Sequence, residues 1–140
     1  MKRLCVFWLL SLSGVVAFAD TVHVILEING VAVHGGQLYG AVYSNEDEYK
    51  NERYFDSFLL ESSDTTIRYE LDLPTGDYVI VIYQDTNDNG TLDKGLFGIP
   101  KEPFGFTNYS RGIPGNFRRL KTPVNAEVKA ITVNIGKYRM

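Results

Sequence analysis

The sequence predicts an all-β protein, specifically an antiparallel β-sandwich. Apolar residues alternate with polar ones at a period of two in several segments. Those segments are rich in β-branched and aromatic residues, which favour strands. No long segment shows the 3.6-residue period of an amphipathic helix. We therefore expect antiparallel sheets that each turn one face to a core and one to water.

Five segments carry the strand pattern, beginning with Thr21–Asn29, in which every second residue is apolar. The others are residues 37–43, 67–73, 78–83 and 131–135. Residues 78–83 are apolar throughout, which predicts a strand buried on both faces.

The segments between these strands are less regular. The turn from Pro74 to Asp77 predicts a hairpin over residues 66–84. Residues 58–60 are a candidate sixth strand, and the charged segment 45–56 is a loop or one helical turn. Regularly spaced strands favour a sandwich of immunoglobulin or transthyretin type, with an open barrel as the alternative.

Residues 94–123 show no periodicity and contain five glycines, four prolines and five aromatic residues. We expect one long irregular loop that is ordered, because disordered segments are poor in aromatic residues. Its aromatic side chains would pack on a sheet or line a groove. The loop has six basic residues and one acidic residue, Glu102. It either neutralises an acidic body or forms a site for an anion or a glycan.

The candidate ligand-binding residues of this loop are three aromatic residues and three arginines. Aromatic faces stack on sugar rings, and guanidinium groups hold carboxylates or phosphates. The residues are Phe104, Phe106, Tyr109, Arg111, Arg118 and Arg119.

Residues 1–19 have the features of a secretory signal peptide. Lys2 and Arg3 precede an uncharged run that ends in Ala17-Phe18-Ala19, a pattern that signal peptidase accepts. A membrane anchor is the alternative, but it needs about 20 apolar residues. We therefore predict an exported protein, periplasmic or secreted, in which residues 20–140 form a single domain with no membrane span.

Removing residues 1–19 changes the composition. The remaining chain has 12 basic and 17 acidic residues, a net charge of −5, and it contains neither Cys5 nor Trp8. Thiol catalysis, disulfides and cysteine metal ligation are then excluded. The negative charge disfavours nucleic acid as a partner.

Residues 85–93, called here the cation loop, contain the clearest chemical motif. Oxygen-bearing side chains at loop positions 1, 3 and 5 and a glycine at position 6 match the first half of a calcium-binding loop. Position 7 would offer its carbonyl oxygen, and position 9 a carboxylate. Hard oxygen ligands favour calcium over zinc or copper. The predicted ligands are Asp85, Asn87, Asn89, Thr91 and Asp93.

The match to an EF-hand is incomplete, because position 12 is Leu96 and the motif follows a strand. Glu102 or another acid would have to complete the ligand shell. We expect weak affinity, with Kd on the order of 10⁻⁴–10⁻³ M. The alternative is a turn rich in Asp and Asn because these side chains cap their own backbone.

Sequence motifs for catalysis are missing. His23 and His34 have no metal-ligating partner at useful spacing, and no nucleophile elbow or phosphate-binding glycine loop occurs. Two carboxylates that meet in space would still allow glycoside hydrolysis. We do not expect an enzyme, and a hydrolase is the last of the alternatives.

Three segments together resemble the uncharacterised bacterial family known as domain of unknown function 2141. They are residues 73–78, 85–93 and 98–108, and the resemblance extends over residues 22–136. It implies an exported bacterial β-sandwich protein and no specific activity. This chain has Gln84 where that family often has a histidine before the first aspartate of the loop.

The sequence thus favours a calcium-stabilised binding or structural module whose partner is an unknown small molecule, glycan or protein. The alternative is a protein that binds a carbohydrate or an anion through residues 94–123.

Overall fold

The structure is a computed structural model and describes residues 20–138. The predicted signal peptide, residues 1–19, lies outside the described residues. None of the helices in residues 20–138 has the length and apolar character that crossing a bilayer requires.

The protein is mostly β, as predicted, with two sheets and little helix. One sheet has three strands in the order β4-β1-β8, and the other has the order β3-β2-β5-β6, with β7 also paired to β5. The strands are β1 (Thr21–Asn29), β2 (Leu38–Tyr43), β3 (Asp56–Leu60), β4 (Thr66–Pro74), β5 (Gly76–Gln84), β6 (Phe104–Phe106), β7 (Thr122–Val124) and β8 (Ala130–Asn134). The helices are α1 (Glu46–Lys50) and α2 (Phe117–Leu120), with a 3₁₀ turn at Leu96–Gly98.

The main hydrophobic core contains residues of both sheets. Leu26 and Ile28 of β1 and Ile80 and Ile82 of β5 are fully buried in one cluster. Burying each such side chain contributes roughly 1.5–3 kcal/mol. The other face of β5 is covered too, because Val79 packs in a second cluster that includes residues of α2. The prediction of a strand buried on both faces is therefore confirmed for this part of β5.

The predicted hairpin over residues 66–84 is wrong. β4 pairs with β1, whereas β5 pairs with β2, so the turn at Thr75 joins strands of different sheets. Leu73 and Tyr78, on either side of this turn, belong to the same core cluster. A tight turn between two apolar strands is compatible with a hairpin in one sheet and with a crossing between two sheets. The local sequence therefore does not distinguish the hairpin from the crossing.

The expectation of purely antiparallel sheets is also wrong at one position. β1 and β8 pair in parallel, with Ile25 opposite Ala130, whereas the other strand pairs in residues 20–138 are antiparallel. The alternation of apolar and polar residues is the same in a parallel strand and in an antiparallel one. Strand direction is set by the connection, which the alternation pattern does not encode.

Residues 94–123 are more regular than predicted, since they contain the 3₁₀ turn, β6, α2 and β7. Thr107 ties this segment to β5: its backbone N–H donates to Ile80 O at 3.0 Å, and its hydroxyl donates to Leu120 O at 2.7 Å. Strands of three residues are too short to show a period. The sixth strand expected at residues 58–60 is present as β3, and segment 45–56 contains α1.

Candidate functional site

The start of the cation loop is fixed by Gln84, the last residue of β5. Its side chain is fully buried, and its Oε1 accepts from the backbone N–H of Ala32 at 3.0 Å. Its Nε2 donates to Ala32 O at 2.7 Å and to Gly36 O at 3.1 Å. Gln84 thereby holds the β1–β2 connection against the end of β5, and buried amide groups need such partners.

The loop itself folds around the carboxylate of Asp85, which is 1% exposed. Its two oxygens accept from the backbone N–H groups of Asn89 at 3.3 Å and of Gly90 at 2.7 Å. Gly90 has φ +76°, the left-handed region that glycine adopts without steric cost. The loop therefore reverses direction where the sequence predicts it.

Three of the predicted ligands converge at the other end of the loop. The amides of Asn87 and Asn89 both donate to the carboxylate of Asp93, the latter at 2.8 Å. The Oδ1 of Asn89 accepts from the backbone N–H of Thr91 at 3.0 Å. Rotating an Asn amide would turn its oxygen toward the position that its nitrogen now occupies. The side chains of Asn87, Asn89 and Asp93 therefore contact one another, whereas Asp85 faces the backbone of the loop.

Glu102 joins the two ends of the cation loop. It is 3% exposed, and its Oε1 accepts from the backbone N–H of Thr86 at 3.0 Å. Its Oε2 accepts from the backbone N–H of Asp93 at 3.1 Å. Glu102, predicted as a possible acid to complete the ligand shell, thus lies beside the loop with each carboxylate oxygen accepting from a backbone N–H.

Asp85 and Glu102 form no ion pair with another of residues 20–138. Burial, followed by the neighbouring Tyr39, Asp85 and Glu102, raises the pKa of the nearby Tyr83 to about 12. In residues 20–138, no three histidine, cysteine or acidic side chains gather as a metal cluster. A cation here would also need the Asn oxygens.

The six candidate residues of the 94–123 segment do not form one surface. The rings of Phe104, Phe106 and Tyr109 pack on one another, with centroids 5.6–5.9 Å apart, and Phe104 is 2% exposed. A ring that is so buried cannot stack on a ligand. The side chains of Arg111, Arg118 and Arg119 are exposed.

A cleft of about 1,020 Å³ lies on the outer face of the five-stranded sheet, and the sequence did not predict it. We call it the tyrosine cleft. Of the six candidate residues above, only Phe106 lines it. Its lining comes from several strands and two loops, so no local motif signals it. The tyrosines that line it are Tyr39, Tyr43, Tyr49, Tyr54 and Tyr83.

The model of a bacterial family, described as uncharacterized protein conserved in bacteria (DUF2141), matches residues 26–132, most of the chain. The chain belongs to this family. The segments that suggested the DUF2141 family include the cation loop and Glu102, which hydrogen bonds join here. No curated protein and no solved structure shows significant similarity to this DUF2141 chain.

Proposed function

We propose that this protein is an exported bacterial binding or structural module of β-sandwich type that a calcium ion stabilises at the cation loop. The observation that carries the proposal is the pair of buried carboxylates, Asp85 and Glu102, with no cationic partner among the described residues. Each carboxylate accepts from two backbone N–H groups, but buried charges usually also have a cationic partner or a metal, because their desolvation is costly.

The donor set supports calcium rather than a softer metal. Every candidate ligand offers oxygen, from carboxylates, amides or the carbonyl of Thr91, and calcium takes 6–8 such ligands. Asn87, Asn89 and Asp93 already contact one another, so a cation would replace their mutual hydrogen bonds. The ion would then hold the end of β5 to the segment that follows.

The sandwich type and the export are parts of the same proposal. One core cluster contains residues of both sheets, and the chain crosses between them at Thr75, which supports an immunoglobulin or transthyretin-like sandwich over residues 20–140. The sequence of residues 1–19 supports export. N-terminal sequencing of the protein made in a bacterial host should begin at Asp20.

Thermal unfolding in calcium tests the cation site. With Kd on the order of 10⁻⁴–10⁻³ M, 10 mM calcium should stabilise the fold by about 1.4–2.7 kcal/mol. The Tm should then rise by roughly 5 °C or more relative to EDTA at matched ionic strength. An equal Tm in both solutions contradicts the proposal.

Two variants of the loop make this test specific. Asp93→Asn removes a carboxylate at a predicted ligand position and should abolish most of the calcium-dependent rise in Tm. Asp88→Asn removes the same charge from an exposed position of the same loop that is not a predicted ligand. Asn tolerates the left-handed φ of Asp88, +53°, so this control should keep the rise. Equal responses of the two variants would indicate nonspecific charge screening.

A further inference from the structure

The tyrosine cleft follows from side-chain sizes on the outer face of the five-stranded sheet. Ala41 of β2 lies opposite Val81 of β5, and Val81 lies opposite Phe106 of β6. Two positions away along β2 and β5, and on the same face of the sheet, Tyr39 lies opposite Tyr83. Small residues between larger aromatic ones leave a depression across the strands.

Two segments outside the sheet deepen this depression. Tyr49 of α1 and Tyr54, which follows α1, line the cleft. Thr91 and Leu92 of the cation loop line it as well. One boundary of the cleft is thus the segment that the proposed calcium ion would fix.

Three of the cleft tyrosines, Tyr39, Tyr54 and Tyr83, are at least partly exposed and can offer a hydroxyl to a ligand, whereas Tyr43 is buried. Of its five tyrosines, only Tyr49 donates a hydrogen bond to another described residue, Gly115 O at 3.2 Å. The rings of Tyr39 and Tyr83 stack with centroids 5.1 Å apart and an interplanar angle of 8°. Each ring therefore covers one face of the other, and the stack fixes the position of both hydroxyl groups, which preorganises them for binding.

The cleft does not suit a strand-like peptide or a polyanion. The backbones of β3, β2, β5 and β6 pair with one another across it, so its floor offers no free strand edge. Its charged residues are the cations Lys50 and Lys94 and the acid Glu52, and Lys50 already pairs with Glu46 at 3.3 Å. The three candidate arginines of the 94–123 segment do not line it.

We propose that the tyrosine cleft binds a neutral carbohydrate chain. A sugar ring presents apolar C–H faces and a rim of hydroxyls, which match aromatic rings and the free tyrosine hydroxyls. The cleft volume of about 1,020 Å³ accommodates several sugar units. This inference rests on the proposed role as a binding module, and calcium affects it only through the position of Gly90, Thr91 and Leu92.

Saturation-transfer NMR with the protein lacking residues 1–19 tests the proposal. The probes are tetra- to hexasaccharides of glucose, N-acetylglucosamine, mannose, galactose and xylose, each measured in calcium and in EDTA. At least one neutral oligosaccharide should receive saturation on its ring C–H protons. No transfer to any of these probes overturns the proposal. Binding only to an added dextran sulfate probe, lost in 150 mM NaCl, also overturns it, in favour of an anion site.

Variants locate the bound sugar in the cleft. Tyr39→Phe with Tyr83→Phe removes only two hydroxyls and should weaken binding about tenfold, since each lost hydrogen bond reduces affinity severalfold. Ala41→Phe should block binding by filling the depression. Tyr69→Phe is the matched control, because Tyr69 is half-buried against the core and does not line the cleft. Unchanged affinity in both cleft variants overturns the proposal.

The two solution conditions separate this inference from the calcium site. Sugar binding in calcium and EDTA alike, without a calcium-dependent Tm, supports the cleft and contradicts the cation proposal. A calcium-dependent Tm without sugar binding supports the cation proposal and contradicts the proposal for the cleft.

Discussion

Glu102 accepts a hydrogen bond from the backbone N–H of Asp93 at 3.1 Å, across nine positions of the chain. The same carboxylate accepts from the N–H of Thr86 at 3.0 Å. One buried side chain therefore closes the cation loop at both of its ends. These two hydrogen bonds close the loop through protein groups, and a bound cation would add its own contacts to this closure.

Replacing Glu102 with alanine should destabilise the protein by about 3 kcal/mol, because two charge-assisted hydrogen bonds are lost and two N–H groups lose their acceptor. Urea unfolding in EDTA measures this loss. Glu127→Ala is the control, since Glu127 is exposed and should change stability by no more than about 0.5 kcal/mol. If Glu102→Ala lowers the free energy of unfolding by less than about 1 kcal/mol, the cost of burying the Glu102 carboxylate offsets what its two hydrogen bonds contribute.

Gln84→Ala should also cost about 3 kcal/mol or more, since it leaves the N–H and C=O of Ala32 and the C=O of Gly36 without their partner. The midpoint of urea unfolding should fall with little change in slope. Gln37→Ala is the matched control, because Gln37 contacts Glu61 at an exposed site. Similar midpoints for the two variants would contradict a clamping role for Gln84.

Gly36 and Gly90 should differ sharply in their tolerance of alanine. A Cβ on Gly36 would lie 1.8 Å from Asp85 O, and the φ of Gly36 is +108°. A Cβ on Gly90 would meet nothing within 4 Å, so Gly90→Ala should cost only the left-handed strain of about 1–2 kcal/mol. Gly36→Ala should cost clearly more in urea unfolding, or prevent folding. Equal costs would contradict the close approach of Gly36 to Asp85.

His23 should titrate above its ordinary pKa. Its Nδ1 lies 2.8 Å from Asp72 Oδ1, and this hydrogen bond, followed by the charges of Asp72 and Glu70, raises the pKa of His23 from 6.5. The stability from this pair is fully present below the unfolded pKa and is lost as pH rises through the folded pKa. The Tm difference between the wild type and Asp72→Asn should therefore be larger at pH 5.5 than at pH 8.5.

NMR titration of His23 provides the direct measurement. Asp72→Asn should lower its pKa, whereas Asp77→Asn, which removes the same charge beside Lys121, should leave it unchanged. An unchanged pKa in Asp72→Asn would show that the contact does not persist in solution.

The sequence predicted what depends on local spacing. The strand positions of β1, β2, β4 and β8 follow from alternation, that of β5 follows from its continuous apolar run, and the turn at residues 85–93 follows from the spacing of Asp85, Asn87 and Asn89. It did not predict which sheet β4 and β5 join or the direction of β8, since alternation is the same in each case. The tyrosine cleft needs residues of several strands together, so its formation depends on strand order.

The parallel pairing of β1 with β8 also affects how the molecule reaches its native state. Ile25 and Ala130 are over a hundred positions apart, so the three-stranded sheet cannot be completed until nearly all of the described chain is available. Such nonlocal pairing slows folding, and a chain truncated before Ala130 leaves an edge of β1 open over Leu26 and Ile28. A truncated product of this kind should be a substrate for quality-control proteases, and the intact protein should acquire protease resistance late and in a single step.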